Sequence, residues 1–292
     1  MKKVTLGVLI IISSCTMGFA QLKLGNKILE KITPPTKEEP SKQPEIKKKS
    51  DGSTEIITSD GTLTIEESTS ADAVPNTFLG SFRMNMQSTD SKGKTITSSA
   101  HYYFSKWKTA MESNLDNNSG QMRMIFDLQN RKTTMLTTDK KGHKSGIIMK
   151  MPKFSYKSDK LDNKVEQMID GTTYRKTGEK KEIEGYLCEK WIMTNEYGET
   201  EAWITDQIDF NLANVFGFFS ISAGMPGSKS PKYKQFESMR GFSLETIHTS
   251  TKGEKTIVTV TNIKIGDVGN APFSTEGYEV QDMSSLGDMF GR

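Results

Sequence analysis

Cysteine is nearly missing: Cys15 and Cys188 are the two in 292 residues. If the N-terminus is processed, one free thiol remains, so a disulfide framework is excluded even in an oxidising compartment and the fold must rest on its apolar core. Histidine is almost as scarce. His101, His143 and His248 lie far apart without metal-ligand spacing, and no histidine stands near Cys188 to activate it as a nucleophile. A surplus of one charge is lacking too, since 39 basic residues face 36 acidic ones. That balance argues against a nucleic-acid partner. No apolar run reaches the roughly 20 residues that span a bilayer, so no transmembrane helix is expected in the mature chain. Phosphate-loop, dinucleotide-binding, zincin and nucleophile-elbow patterns are also missing. These gaps lead to the expectation of a chain that is not an enzyme, with no catalytic residue, no cofactor and no metal.

The N-terminus carries the clearest address. Lys2 and Lys3 precede the apolar run Val4–Ile12, and Gly18-Phe19-Ala20 places small residues before Gln21. This is the layout of a cleaved secretory signal over residues 1–20. Ile12-Ser13-Ser14-Cys15 offers an alternative, processing as a lipoprotein at Cys15. Either route puts the chain in the periplasm or at the outer membrane.

Residues 21–75 read as a disordered or weakly structured tether. Pro34, Pro35, Pro40 and Pro44 stand among lysines and glutamates, and few aromatics are present to offset the entropy of ordering. Within it, two alternating pieces between Thr54 and Glu66 flank Ser59-Asp60-Gly61 and could pair as a hairpin. From residue 76 to 283 the texture becomes that of half-buried antiparallel strands. Phe82, Met84 and Met86 share one parity and Arg83, Asn85 and Gln87 the other. Met122, Met124, Phe126 and Leu128 repeat the pattern, as do Ile147, Met149 and Met151. Turns are expected at Ser91–Lys94, Asp139–Gly142, Glu196–Glu199 and Thr251–Glu254. Leu212, Val215, Phe216 and Phe219 follow a helical stripe, placing a helix over Asp209–Ser220. Residues 284–292 form a C-terminal tail in which Leu286, Met289 and Phe290 could add a helical turn.

Three stretches carry a resemblance: EIEGYLCEKWIMT at Glu182–Thr194, EAWITDQI at Glu201–Ile208, and APFSTEGYEVQDM at Ala271–Met283. Their shared pattern is Gly185-Tyr186-x-Cys188-x-Lys190, the Trp203 strand, and a closing segment with Phe273 and Gly277-Tyr278. It resembles the exported bacterial family known as domain of unknown function 4412, which is similar to the lipoprotein-carrier fold of the LolA and LolB type. The resemblance implies a mainly β (α+β) fold: a curled antiparallel sheet or incomplete β-barrel with one or two helices on its concave side. It implies fold and compartment, not chemistry.

Methionine is abundant, at sixteen residues. Met84, Met86, Met124, Met149 and Met151 fall on the expected inward strand faces, with Phe126, Trp107, Trp191 and Trp203, and Phe216 and Phe219 on the expected helix. Flexible, polarizable thioethers suit a surface that adapts to varied apolar partners. These eleven residues are the candidate lining for a lipid or acyl-chain ligand. A filled core gives the same alternation. The leading functional reading is a non-enzymatic carrier or binding module. The alternative is a structural envelope protein that binds a protein partner and has no ligand cavity. Cys188, mid-strand among apolar neighbours, reads as a small core side chain.

Overall fold

A computed structural model describes residues 45–50, 52–58, 61–67, 73–114, 120–150, 152–157, 171–210 and 241–283. The segment expected to be a signal sequence, Met151, the part of the expected Asp209–Ser220 helix beyond Phe210 and the helical turn expected near the C-terminus lie outside them. Asp209 and Phe210 are not helical. Among the described residues the complete helical element is a single 3-10 turn, Ala271–Phe273. No helix among them is long and apolar enough to cross a membrane.

Among the described residues sixteen strands build two sheets. The small sheet has the order β1-β2-β3-β10 and contains β1 (Glu45–Lys48), β2 (Thr54–Thr58), β3 (Gly61–Glu67) and β10 (Pro152–Lys157). The hairpin expected around Asp60 is therefore present as β2 and β3, with Thr58 opposite Gly61. β1, β2 and β3 lie inside the segment read as tether, and β2 and β3 are paired on both sides. Backbone bonds suffice for a short edge strand such as β1, so its charged side chains remain exposed.

The large sheet is two meanders joined edge to edge. The first runs β4 (Gly80–Thr89), β5 (Thr95–Phe104), β6 (Lys108–Asn114), β7 (Gly120–Asp127), β8 (Lys132–Asp139) and β9 (Lys144–Lys150). The second runs β11 (Thr173–Ile183), β12 (Tyr186–Asn195), β13 (Gly198–Thr205), β14 (Phe242–Ser250) and β15 (Lys255–Ile265). β15 returns to pair antiparallel with β4, and β16 (Glu279–Asp282) adds to β9 in parallel. Among the described residues β11 and β16 are the edge strands of this sheet, which does not close into a barrel.

Tight turns set this register. Asp90 Oδ1 accepts from the N–H groups of Lys92 and Lys94, each at 2.9 Å. Asp139 Oδ1 does the same for Lys141 and His143. Gly93 and Gly142 each follow at φ 81°, a left-handed conformation that glycine takes without steric cost. The first meander has no bulge, so its face alternation is strict over six strands.

The second meander folds over. The N–H of Asn262 on β15 donates to Glu184 Oε2, in the β11–β12 turn, at 2.9 Å. Three strand spacings, roughly 14 Å in a flat sheet, separate β12 from β15. No glutamate reaches that far, so the sheet curls here. Bulges at Thr261/Lys264 and at Trp203/Ile204 supply the bend. The main core gathers at this curl: Phe78, Phe82, Tyr102, Phe104, Phe242 and Leu244 are buried there with Cys188. Phe210 closes it, with its ring 4.4 Å from Phe242 and 5.4 Å from Phe104.

After β15 the chain crosses the back of the first meander to reach β16. Seven strand spacings, roughly 34 Å, separate those strands. The thirteen residues 266–278 can span about 43 Å when extended. This strap lays Phe273 and Tyr278, with Val280 of β16 beside them, over Ala110, Ile125 and Leu136.

Candidate functional site

Strict alternation gives β4–β9 two different faces, and each is a candidate. On the core face, registered rows run across the strands. One row is Ile147–Met135–Met124–Met111–Tyr102–Phe82. Three thioethers stand side by side in it. Burial falls along the row: Phe82, Tyr102 and Met111 are buried, while Met124, Met135 and Ile147 are half-buried. A parallel row, Met149–Thr133–Phe126–Thr109–Phe104, behaves the same way at its Met149 end.

Of the proposed lining residues, Met84, Met86, Met124, Phe126 and Met149 share the core face of β4–β9. Met84, Met86, Met124 and Trp203 join the main core. Phe126 packs with Leu128, Trp107 and Met124 in a smaller cluster at the β5–β6 turn. Trp191 pairs across strands with Ala202 and lies outside these clusters among the described residues. Met149 stands on the half-buried end of its row. Met151, Phe216 and Phe219 fall outside the described residues. Met135 and Ile147, which carry the open end of the thioether row, become visible once cross-strand register is known.

Cys188 is fully buried, and burial pushes its thiol pKa up. Lys181 is the cation that opposes this shift. Its ammonium is already 2.7 Å from Glu245 and lies 4.2 Å from the centre of the Trp203 ring. A buried, protonated thiol is a packing group.

The outer face holds a polar row that sequence reading did not anticipate. Arg83, His101, Glu112 and Arg123 stand directly opposite one another on β4, β5, β6 and β7. Arg123 Nε lies 2.6 Å from Glu112 Oε1, though off its N–H axis, so the contact is ionic rather than an aligned hydrogen bond. The same guanidinium reaches the strap, donating to the carbonyls of Ala271 at 3.4 Å and Ser274 at 3.3 Å. Tyr103 donates its hydroxyl proton to Glu112 Oε2 at 3.2 Å, and its oxygen is 2.9 Å from His101 Nδ1. Burial lowers the His101 pKa, helped by Arg83 and Lys264 and opposed by Glu112. Burial and then Glu112 raise that of Tyr103.

Between this row and the strap lies a cleft of about 370 Å³. Arg83, His101, Tyr103, Glu112 and Tyr278 line it, and Ser99 reaches it with a buried hydroxyl that has no hydrogen-bond partner.

A family model, Domain of unknown function (DUF4412), matches residues 78–275. The chain belongs to this family. The match takes in both meanders and stops within the strap, before Tyr278 and β16. No curated protein matches the chain. Among solved structures it is similar to PNGF-II at 12% identity and a TM-score of 0.32, over 72% of this chain and 32% of that one. The chain thus spans about a third of the length of PNGF-II. An uncharacterized conserved protein from Thermus thermophilus matches at 8% identity and a TM-score of 0.34, over 70% of this chain and 90% of that one. A LolA superfamily protein from Nitrosomonas europaea matches at 9% identity and a TM-score of 0.27, over 71% and 94%. Likeness at this level says nothing about what the DUF4412 chain binds.

Proposed function

We propose that this DUF4412 chain is a non-enzymatic binding or carrier module of the bacterial cell envelope that shelters an acyl chain or similar apolar ligand on its core face. The observation that carries the reading is the thioether row. Met135 and Met124 continue a buried apolar row into half-exposed positions, instead of giving way to polar residues. Side chains there have apolar surface left to bury. Each methylene of a ligand laid against them contributes about 0.8 kcal/mol. Methionine's rotatable, polarizable side chain lets such a surface fit chains of different shape. The N-terminal signal, with Gln21 or Cys15 as first mature residue, supports the envelope address. Helices on the core side, implied by the family resemblance, remain part of this reading.

The test is native mass spectrometry of the protein purified from the envelope without a delipidation step. The expected result is an adduct with the mass of a lipid or fatty acid, reduced in Met124→Gln/Met135→Gln. A uniformly ligand-free mass overturns the carrier reading and turns attention to a protein partner.

A further inference from the structure

We propose that the cleft on the outer face of β4–β7 binds an oxyanion, a phosphate or carboxylate group, between Arg83, His101 and Ser99. The proposal does not rest on the apolar reading of the opposite face.

Charge is the first argument. Among the described residues lining the cleft, Glu112 is the one acid, and Arg123 occupies it. Arg83 stands directly across from His101, exposed, with no carboxylate among the described residues in ion-pair contact. Lys264, on β15, adds a second exposed cation near the imidazole. The groups facing His101 are thus Arg83 from β4, Tyr103 from its own strand, Glu112 from β6 with Arg123 behind it on β7, and Lys264 from β15. Their sum is positive, and an oxyanion is the complement that would neutralise it.

Donor geometry is the second. Arg83 presents a planar fork suited to two oxygens of one phosphate or carboxylate. The Tyr103 oxygen engages His101 Nδ1, which leaves Nε2 for a ligand. The Ser99 hydroxyl is buried and unbonded in the same cleft, and buried polar atoms are rarely left so without a partner. Arg123 is not available, being held by Glu112 and by the strap carbonyls. The volume suits a small organic anion or a head group.

The network also prepares for a protonated imidazole. With the phenol proton directed at Glu112, the Tyr103 oxygen accepts from Nδ1–H, and an imidazolium keeps Nε2–H for the anion. Free, His101 is held neutral by burial and by its cationic neighbours. A bound anion cancels those cations, so binding takes up a proton and strengthens as pH falls.

The experiment follows the His101 ring protons by NMR, assigned with His101→Gln, during titration with inorganic phosphate, acetate and phosphatidylglycerol vesicles. The expected result is a raised His101 midpoint at millimolar anion, with binding about tenfold tighter near pH 5.5 than near pH 8. Arg83→Gln should weaken binding about tenfold without changing the melting temperature, because the side chain is exposed. Ser99→Ala should weaken it less. Response to phosphate or acetate assigns a free anion of that type. Response to vesicles alone, lost in Arg83→Gln, assigns a lipid head group. No response to any of the three probes, or an equal response in Arg83→Gln, overturns the proposal.

Discussion

Phe82 and Arg83 are neighbours in sequence and face opposite environments. Phe82 is 1% exposed, with ring centroids of Phe104, Phe242 and Tyr102 all within 5.3 Å. Arg83 points into a polar cleft and keeps its charge in water. The same inversion repeats at Tyr102 and His101, Met111 and Glu112, and Met124 and Arg123. One face therefore gains by excluding water and the other by arranging charge. They should answer differently to every perturbation.

The largest difference should come from the first pair. Phe82→Ala is expected to lower unfolding free energy by about 3–5 kcal/mol, because its neighbours cannot collapse into the space a ring leaves. Arg83→Gln should change it by less than about 0.5 kcal/mol. Denaturant titration of both variants measures the contrast. Equal costs would mean that the alternation in β4 is not what separates core from surface.

The core face also differs along its own length. Met111→Ala should cost about 2–4 kcal/mol, since that side chain is 4% exposed. Met149→Ala, half-buried on β9, should cost about 1 kcal/mol or less. Should Met149 prove as costly as Met111, the open end of the apolar face is filled, and the ligand shelf loses its basis.

Alternation is a local property, and this is why so much of the core face was legible. Phe82, Met84 and Met86, or Met122, Met124 and Phe126, declare a shared side within a few residues, and Ser91–Lys94 and Asp139–Gly142 declare their turns. The outer row was not legible, because Arg83, His101, Glu112 and Arg123 come together only through register across four strands. Register is a non-local quantity, set by turn geometry and backbone pairing. The strap was hidden for a related reason. APFSTEGYEV marks a family segment, yet nothing in it tells that the chain crosses the sheet to pair in parallel with β9. The β2–β3 hairpin was visible around Asp60, whereas β1 and β10 take part through backbone bonds that leave little mark on side-chain pattern. Trp107, Trp191 and Trp203 share an apolar character that sequence reading merged into one lining. Turn, strand and bulge send them to three separate places.

Arg123 joins the two kinds of force on the outer face, holding Glu112 by charge and the strap by hydrogen bonds. Arg123→Met should keep most of the packing of its stem and lose both sets of contacts. The expected cost is about 1–2 kcal/mol, with faster amide exchange at the strap, near Ser274 and Tyr278. Exchange unchanged in the strap would show that Phe273, Tyr278 and Val280 hold it through apolar contact alone.

Burial against charge also separates two histidines, and here the expected effect is smallest. His248 is buried, its Nδ1 2.9 Å from Thr200 Oγ1, and burial is the leading cause of its lowered pKa. His101 is lowered by burial too, but Arg83 and Lys264 contribute. In both cases the unfolded chain binds the proton more readily than the folded one. Stability is therefore complete above the ordinary histidine value of about 6.5 and declines as pH falls from there toward the lower folded value. His248→Gln, which can still bond Thr200 but cannot charge, should remove part of that decline, a difference on the order of a few degrees in melting temperature. Salt divides the pair. Screening weakens the exposed cations around His101 and should raise its titration midpoint, while His248, lowered by burial with no cation among its causes, should move less. Equal salt responses in an NMR titration would mean that the outer cleft does not carry the uncompensated positive charge assigned to it.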